Sequence, residues 1–241
     1  GNNYFSFVSQ ELPQIAENLF PLRTGQKNTY VAGLSMGGYG AFKLALNQPE
    51  RFAAAASLSG ALNIAENAER ADERDELYQE LKWIYGDLNK VKNTNHDLFY
   101  LLKKLKGEKK NIPALYQCCG TEDFLYKDNL KFRNFCRKNR IKLKYEEDSA
   151  VHEWGYWDQK IQASGQVQRR VDRLLNGIEG GQQHRTDVAG PGEVAVGAHE
   201  QERADGKDQG ADPAPRLAGC GVEAHRLRAL SRFFKAGAGR W

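Results

Sequence analysis

The sequence lacks the features that mark membrane and secreted proteins. Its 241 residues contain no run of about 18 consecutive apolar residues, the length that a spanning helix needs. The first six residues lack the charged and then apolar layout of a secretory signal. The four cysteines form no C-x-x-C pair, which favours a reducing compartment. We therefore expect a cytoplasmic protein with no membrane partner.

An excess of charge of one sign is also absent. The chain has 35 Lys and Arg residues against 31 Asp and Glu residues, a formal net charge of +4. Proteins that track nucleic acid phosphates usually carry a basic face or stripe. We therefore expect no nucleic acid partner. The pattern of charge predicts nothing about the oligomeric state.

Lysine and large apolar side chains become scarce after residue 162. Residues 1–162 hold 16 of the 18 Lys, whereas residues 163–241 hold 13 of the 24 Gly and no Tyr. A segment of this kind buries too little apolar surface to offset a backbone entropy of roughly 1 to 2 kcal/mol per ordered residue. We predict a folded segment over 1–162 and a disordered, Arg/Gly/Ala-rich tail over 163–241. The break is typical of a natural linker or of a foreign or misread ending, and its abruptness favours the second.

Residues 1–162 alternate between helical and strand patterns. Apolar residues at spacings of three and four predict an amphipathic helix before Pro21, and its stripe comprises Phe5, Val8, Leu12, Ile15 and Leu19. Later helical patterns cover 37–47 and 129–139, and apolar runs of strand type cover 28–34, 52–58, 112–119 and 142–147. This alternation predicts an α/β fold in which helices cover both faces of a parallel sheet.

The segment 61–107 is charged and mostly helical in pattern. It carries an apolar stripe of Leu77, Leu81 and Ile84, and it is long enough to form a small cap over one end of the sheet. Its charged half fits a solvated surface excursion equally well. Both interpretations stay open at this point.

The strongest chemical signal is the pentapeptide Gly33-Leu34-Ser35-Met36-Gly37. It matches G-x-S-x-G, and it lies between a predicted strand and a predicted helix, where a tight turn exposes the serine hydroxyl at the top of the sheet. We expect that a side chain at either flanking glycine would collide with neighbouring backbone. The helix N-terminus favours a developing oxyanion, with the Met36 N–H as first donor. We therefore predict Ser35 as a nucleophile.

A nucleophilic serine needs a base to take its proton, and in a fold of this kind the chain order is serine, acid, histidine. Three of the five histidines lie in the tail, and His96 precedes every plausible position for the catalytic acid. His152 comes directly after the last predicted strand and has aromatic neighbours. We therefore predict His152 as the base.

The base in turn needs a carboxylate that fixes its tautomer. Asp123 follows the predicted strand 112–119, so its side chain can reach the sheet edge that holds Ser35. Glu122 and Asp128 are the competitors. Glu122 is expected to point elsewhere, and Asp128 to begin the next helix as an N-terminal charge. Asp123 is therefore the favoured acid.

Three motifs, in this order, resemble the esterase D family of α/β-hydrolases. They are the runs 33–41 (GLSMGGYGA), 120–126 (GTEDFLY) and 152–158 (HEWGYWD). Within that family the sequence is most similar to bacterial tributyrin esterases and acetylesterases. The resemblance covers residues 1–162.

The resemblance implies a serine carboxylesterase that acts on a small-molecule ester with a short acyl chain. It implies Ser35, His152 and Asp123 as the triad, and neither a metal nor an organic cofactor. Trp154 and Tyr156 are candidates for the wall of the acyl pocket, although both also fit the core. Within the wider family, an S-formylglutathione hydrolase and a feruloyl esterase are alternatives.

Two departures from the family pattern lead to a further alternative. The first helix corresponds to the one that precedes the nucleophile strand in this family, so the strands and the second oxyanion donor that normally lie upstream are expected to be missing. The similarity also stops near residue 162. An N-terminally truncated, inactive esterase remnant that binds a partner is therefore the contrasting hypothesis.

Overall fold

Four parallel strands form the central sheet in a computed structural model that describes residues 3–74 and 76–162. The strands lie side by side in chain order: β1 (Tyr30–Leu34), β2 (Ala54–Leu58), β3 (Ala114–Gly120) and β4 (Leu143–Asp148). Leu34 pairs with Leu58, and Leu58 pairs with Cys118, so the carboxyl ends of the first three strands are aligned. The prediction of a parallel α/β fold is confirmed.

Helices precede, connect and follow the strands. The first, α1, covers residues 4–19 in three consecutive segments, of which the middle one, Phe7–Glu11, is π-helical. The later helices are α2 (Met36–Asn47), α3 (Ile64–Arg70), α4 (Glu76–Tyr85), α5 (Leu98–Gly107), α6 (Tyr126–Lys138) and α7 (residues 154–162). Every predicted strand and helix in residues 1–147 is present, with ends that differ by up to three residues.

The sheet separates two apolar clusters, because successive side chains of a strand point to opposite faces. Ala55 belongs to the larger cluster, in which the fully buried rings of Phe42 and Phe132 lie 5.4 Å apart. Ala56 belongs to the smaller cluster, together with Leu58, Tyr116, Cys118, Tyr156 and Trp157. Helices α2 and α6 therefore cover one face of the sheet, and α7 covers the other.

The amphipathic stripe of α1 is only partly buried. Phe5, Ile15 and Leu19 are 39%, 47% and 69% exposed, whereas Val8 packs against the larger cluster. Val8 lies within the π-helical segment, and the exposed residues lie on both sides of it. The predicted helix is therefore present, but its apolar residues do not form one buried stripe.

The segment 61–107 contains three helices, as its pattern predicts. In α4, Leu81 is buried, but Ile84 is 48% exposed and the neighbouring Trp83 is more exposed still. Among the described residues, the apolar stripe is therefore only partly buried, and the side chain of Leu77 lies outside them.

The predicted tail, residues 163–241, lies outside the described residues. Within the part that the structure describes, no helix is long and apolar enough to cross a membrane.

Candidate active site

The turn that carries Ser35 is held by backbone hydrogen bonds to the next strand. Ser35 has φ 52° and ψ −120° and directly precedes α2. Its N–H donates to the Leu58 carbonyl at 2.9 Å, and its carbonyl accepts from the Ala61 N–H at 3.1 Å. A positive φ costs a non-glycine residue roughly 1 to 2 kcal/mol, so the surrounding structure maintains this conformation. Strain of this kind is typical of functional turns.

Only one of the two glycines in the motif is required by close packing. A Cβ on Gly33 would lie 2.2 Å from the Gly37 carbonyl oxygen, whereas a Cβ on Gly37 would meet nothing within 4 Å. The prediction that both side chains would collide is therefore wrong for Gly37. The close approach is made by the backbone of Gly37 toward the Cα of Gly33.

A continuous hydrogen-bond relay links the three predicted triad residues. The Ser35 hydroxyl lies 3.0 Å from His152 Nε2, and His152 Nδ1 lies 2.7 Å from Asp123 Oδ2. An ionised carboxylate only accepts, so the proton of the ring lies on Nδ1 and leaves Nε2 free to accept from the serine. The side chain of Asp123 is fully buried and that of His152 nearly so. The structure thus brings together Ser35, His152 and Asp123.

The two competing carboxylates have other partners. Glu122 is exposed, and its side chain accepts from the Thr121 and Ser149 hydroxyls. Asp128 lies in the first turn of α6, where the amides of Asn63 and Asn67 donate to its two oxygens. Of the three candidates, only Asp123 contacts the imidazole.

The second oxygen of Asp123 is also fixed. The Leu125 N–H donates to Asp123 Oδ1 at 2.8 Å. Burial, and then the charge of Asp123, raises the pKa of the Cys119 thiol. The buried carboxylate therefore has a backbone donor on one oxygen, the imidazole on the other, and a neutral thiol beside it.

A glycine brings the histidine segment close to the aspartate segment. A Cβ on Gly120 would lie 2.1 Å from the Ala150 carbonyl oxygen. That carbonyl accepts from the Glu122 N–H at 3.1 Å, and the Thr121 N–H donates to Asp148. These contacts join the turn after β3 to the turn after β4, the two turns that carry Asp123 and His152. Sequence reasoning gave Gly120 no role, although its place at the end of a strand was a signal.

Met36 is the first residue of α2. The first N–H groups of a helix have no acceptor in the preceding turn. The Met36 N–H is therefore available beside the Ser35 hydroxyl, at the positive end of a helix dipole.

The two aromatic residues proposed for the pocket differ in their surroundings. Trp154 is 58% exposed and lies edge-on to Trp157 at 5.4 Å. Tyr156 is buried and packs with Leu58 and Tyr116 in the smaller cluster. Its packing gives no support to a pocket role, whereas Trp154 offers an open ring near the histidine.

His96 belongs to a different cluster. Its Nδ1 accepts from Lys43 Nζ at 2.9 Å, and the Tyr39 hydroxyl donates to its carbonyl. Burial, together with the charge of Lys43, lowers the pKa of His96 to about 4. Burial also lowers the pKa of Lys43 to about 8. Across residues 3–74 and 76–162, no three His, Cys, Asp or Glu side chains are grouped to hold a metal ion.

The serine lies on a strained turn between a parallel strand and a helix, and the acid and then the histidine follow it in the chain. These features are the arrangement of the α/β-hydrolase fold. Solved structures support that class. A ferulic acid esterase, 21% identical, superposes with a TM-score of 0.58 over 70% of this chain and 61% of its own. The Esterase family model matches residues 1–165. The chain belongs to the Esterase family.

Other relatives are about one third identical to the chain over the aligned residues. An acetyl esterase of Caldicellulosiruptor saccharolyticus is 35% identical over 162 residues, which are 66% of this chain and 61% of the relative. An S-formylglutathione hydrolase of Staphylococcus aureus is 35% identical, with a TM-score of 0.58 over 73% of this chain and 65% of its own. A fluorophosphonate-binding serine hydrolase of the same organism has the same identity and coverage and a TM-score of 0.60. The chain thus spans somewhat less than two thirds of these relatives.

Proposed function

We propose that the protein is a serine carboxylesterase that hydrolyses short-chain acyl esters of small molecules. The observation that carries the proposal is the relay from the Ser35 hydroxyl through His152 to Asp123, with distances of 3.0 and 2.7 Å. Membership of the Esterase family and the 35% identity to an acetyl esterase support the same reaction class. We also propose that the protein belongs to the esterase D subgroup of this family.

The first half of the reaction forms an acyl-enzyme. Ser35 Oγ attacks the ester carbonyl carbon while His152 Nε2 takes the hydroxyl proton. The carbonyl oxygen becomes an oxyanion, which the Met36 N–H and the positive end of α2 stabilise. Asp123 stabilises the imidazolium and holds its tautomer. Collapse of the tetrahedral intermediate breaks the bond to the alcohol, which leaves with the proton from His152.

The second half repeats these steps with water. His152 Nε2 takes a proton from a water molecule, whose oxygen attacks the acyl carbon. The bond to Ser35 Oγ then breaks, the serine recovers its proton from His152, and the carboxylic acid leaves.

We place the substrate against Trp154, because its exposed ring lies beside the aromatic neighbour of His152. We propose this ring as part of the wall of the acyl pocket. A second candidate is the hydrolysis of a thioester such as S-formylglutathione, favoured by the 35% identity to the staphylococcal enzyme. The two candidates use the same acyl-enzyme chemistry and differ in the leaving group.

The test is pre-steady-state hydrolysis of p-nitrophenyl acetate. We expect a burst of p-nitrophenol equal to the enzyme concentration, and its loss in Ser35→Ala with at least about a 1000-fold fall in kcat/KM. Ser6→Ala, a change in α1 remote from the relay, is the control and should behave as the wild type. An unchanged rate in Ser35→Ala would overturn the proposal.

Two further measurements separate the alternatives. Comparing p-nitrophenyl acetate, p-nitrophenyl octanoate, methyl ferulate and S-formylglutathione ranks the acyl and leaving groups, and we expect the acetyl ester to have the highest kcat/KM. Labelling of Ser35 by a fluorophosphonate probe separates a competent site from an inactive remnant. A chain that unfolds cooperatively but neither labels nor turns over would favour the remnant.

A further inference from the structure

We propose that Phe124 and Trp157 act as positioning residues that hold the His152 imidazole from two sides and stabilise its protonated form during turnover. The two side chains together are called the His152 clamp below. This inference rests on the proposed function, since it assigns a role within the same reaction.

The hydrogen bonds of His152 do not by themselves fix the ring. Nδ1 and Nε2 both lie in the ring plane, and their partners at 2.7 and 3.0 Å determine the direction of the ring within that plane. Because hydrogen bonds tolerate angular deviations, they leave room for the ring to rock by small rotations about the Cβ–Cγ bond. Contacts on the rest of the ring are needed to stop this motion, because a misplacement of about 1 Å costs about 100-fold in rate.

Aromatic side chains supply those contacts. The Phe124 ring centroid lies 4.5 Å from that of His152 at an interplanar angle of 48°, and the Trp157 centroid lies 4.7 Å away at 87°. Both distances fall at the short end of the range for aromatic pairs. The different angles mean that the two rings meet the imidazole in different orientations, so together they restrict its rocking.

The clamp is itself anchored in the core. Phe124 packs against the larger apolar cluster, whereas Trp157 is buried within the smaller cluster on the other face of the sheet. The backbone N–H of Trp157 donates to the Glu153 carbonyl at 3.3 Å, which fixes the main chain that carries the ring. The two rings that contact the histidine are thus packed into clusters on opposite faces of the sheet.

The aromatic rings also act electrostatically. A cation near the face of an aromatic ring is attracted by the ring quadrupole, and more strongly where water is excluded. The side chain of His152 is 5% exposed. His152 becomes an imidazolium only as the serine attacks, so the clamp favours the transition state over the resting enzyme.

Replacing Phe124 with Leu tests the clamp, because Leu keeps the apolar contact and removes the ring. We expect kcat for p-nitrophenyl acetate, corrected for active sites by the burst amplitude, to fall by about 3- to 10-fold with KM changed less than twofold. In a plot of kcat/KM against pH, the acid limb is the rise in activity on the low-pH side. It should move to lower pH by about half a unit to one unit, because loss of the Phe124 ring favours neutral His152. Phe124→Tyr keeps the ring and should restore both quantities.

Phe99→Leu is the matched control. Phe99 is also partly buried, and its ring contacts Phe132 and Phe135 rather than the histidine. We expect its acid limb to coincide with that of the wild type. A second pair of variants tests Trp157. Trp157→Phe keeps an aromatic ring and Trp157→Leu does not, so Trp157→Phe should shift the acid limb less.

The outcomes separate this inference from the proposed function. One outcome would overturn the clamp and leave the esterase proposal standing. In that outcome Ser35→Ala is inactive, but neither Phe124→Leu nor Trp157→Leu shifts the acid limb. An active Ser35→Ala, or a wild type with neither turnover nor fluorophosphonate labelling, would overturn both. A shift of the acid limb that also occurs in Phe99→Leu would show a general effect of packing and contradict the clamp.

Discussion

At the scale of single residues, the turn at Ser35 depends on one contact between backbone segments. The Cα of Gly33 lies so close to the Gly37 carbonyl that no side chain fits between them. Ser35 itself has a positive φ, so any shift of this backbone moves the hydroxyl away from His152. A substitution at Gly33 should therefore change both the stability of the protein and the position of the Ser35 hydroxyl.

Gly33→Ala should lower the free energy of unfolding by about 1 to 3 kcal/mol, because the added methyl group overpacks the turn. It should also reduce esterase activity by at least about 100-fold through displacement of Ser35. Gly37→Ala, with open space at its Cβ, should change stability by less than about 0.5 kcal/mol. Urea unfolding of the two variants checks the contrast, and equal losses would contradict it.

The residues of the relay could be predicted from the sequence, because chain order and strand ends determine which groups meet. Ser35, Asp123 and His152 each follow a strand of a parallel sheet, and carboxyl ends of parallel strands share one edge. The roles of Phe124 and Trp157 could not be predicted in this way. Their contacts with His152 depend on the angles of three rings, and an aromatic pattern gives no information about angles.

At the scale of elements, the junctions between helices and loops carry specific polar contacts. Asp97 caps α5, and its carboxylate accepts from the N–H groups of Asn93, Phe99 and Tyr100 at 3.0 to 3.2 Å. Asp87 caps the short 3₁₀ turn Leu88–Lys90. Its carboxylate accepts from one backbone donor, the Asn89 N–H. The first carboxylate is buried and the second is exposed.

Asp97→Ala should therefore cost about 2 kcal/mol of stability, since three backbone donors lose their acceptor in a buried place. Asp87→Ala should cost about 0.5 kcal/mol, because water replaces the lost acceptor. Thermal and urea unfolding of both variants measure the difference. Similar losses in the two variants would show that burial of the cap is unimportant.

The junction between β3 and β4 connects stability to catalysis. A methyl group on Gly120 would collide with the Ala150 carbonyl oxygen, two residues before His152. We expect Gly120→Ala to reduce kcat by at least about 10-fold by moving His152 away from Asp123. Fluorophosphonate labelling of Ser35 should slow in parallel. Unchanged labelling in a folded Gly120→Ala variant would contradict this link between the two turns.

The periodicity of apolar residues predicted the elements better than it predicted their packing. For α1 the pattern indicated a helix correctly, but three of the five apolar residues in its stripe are exposed. Spacing shows that the apolar residues share a face, but it does not show what covers that face. For α4, the exposure of Ile84 depends on how the helix packs against the rest of the protein. The spacing of apolar residues does not predict that packing.

At the scale of the whole molecule, the burial of His96 beside Lys43 makes stability depend on pH. His96 precedes α5 and contacts α2 through Lys43. Its folded pKa of about 4 lies below the ordinary value of 6.5. The unfolded chain therefore binds more protons than the folded protein between these values, and stability falls as the pH drops from 6.5 toward 4.

Gln at position 96 can still accept from Lys43 but does not titrate. The drop in urea midpoint between pH 7 and pH 5 should therefore be smaller in His96→Gln than in the wild type. Measuring both proteins at both pH values isolates the contribution of this histidine from that of other groups. Equal drops would mean that His96 has the same pKa in the folded and unfolded states.

The strand order of the sheet has a consequence for synthesis. Each of β2, β3 and β4 pairs with the strand made just before it, so the sheet can grow in the direction in which the ribosome releases the chain. Ser35 emerges in the first of these units, and His152 follows the last. A nascent chain therefore carries Ser35 without its hydrogen-bond partner His152 until the turn after β4 has been made.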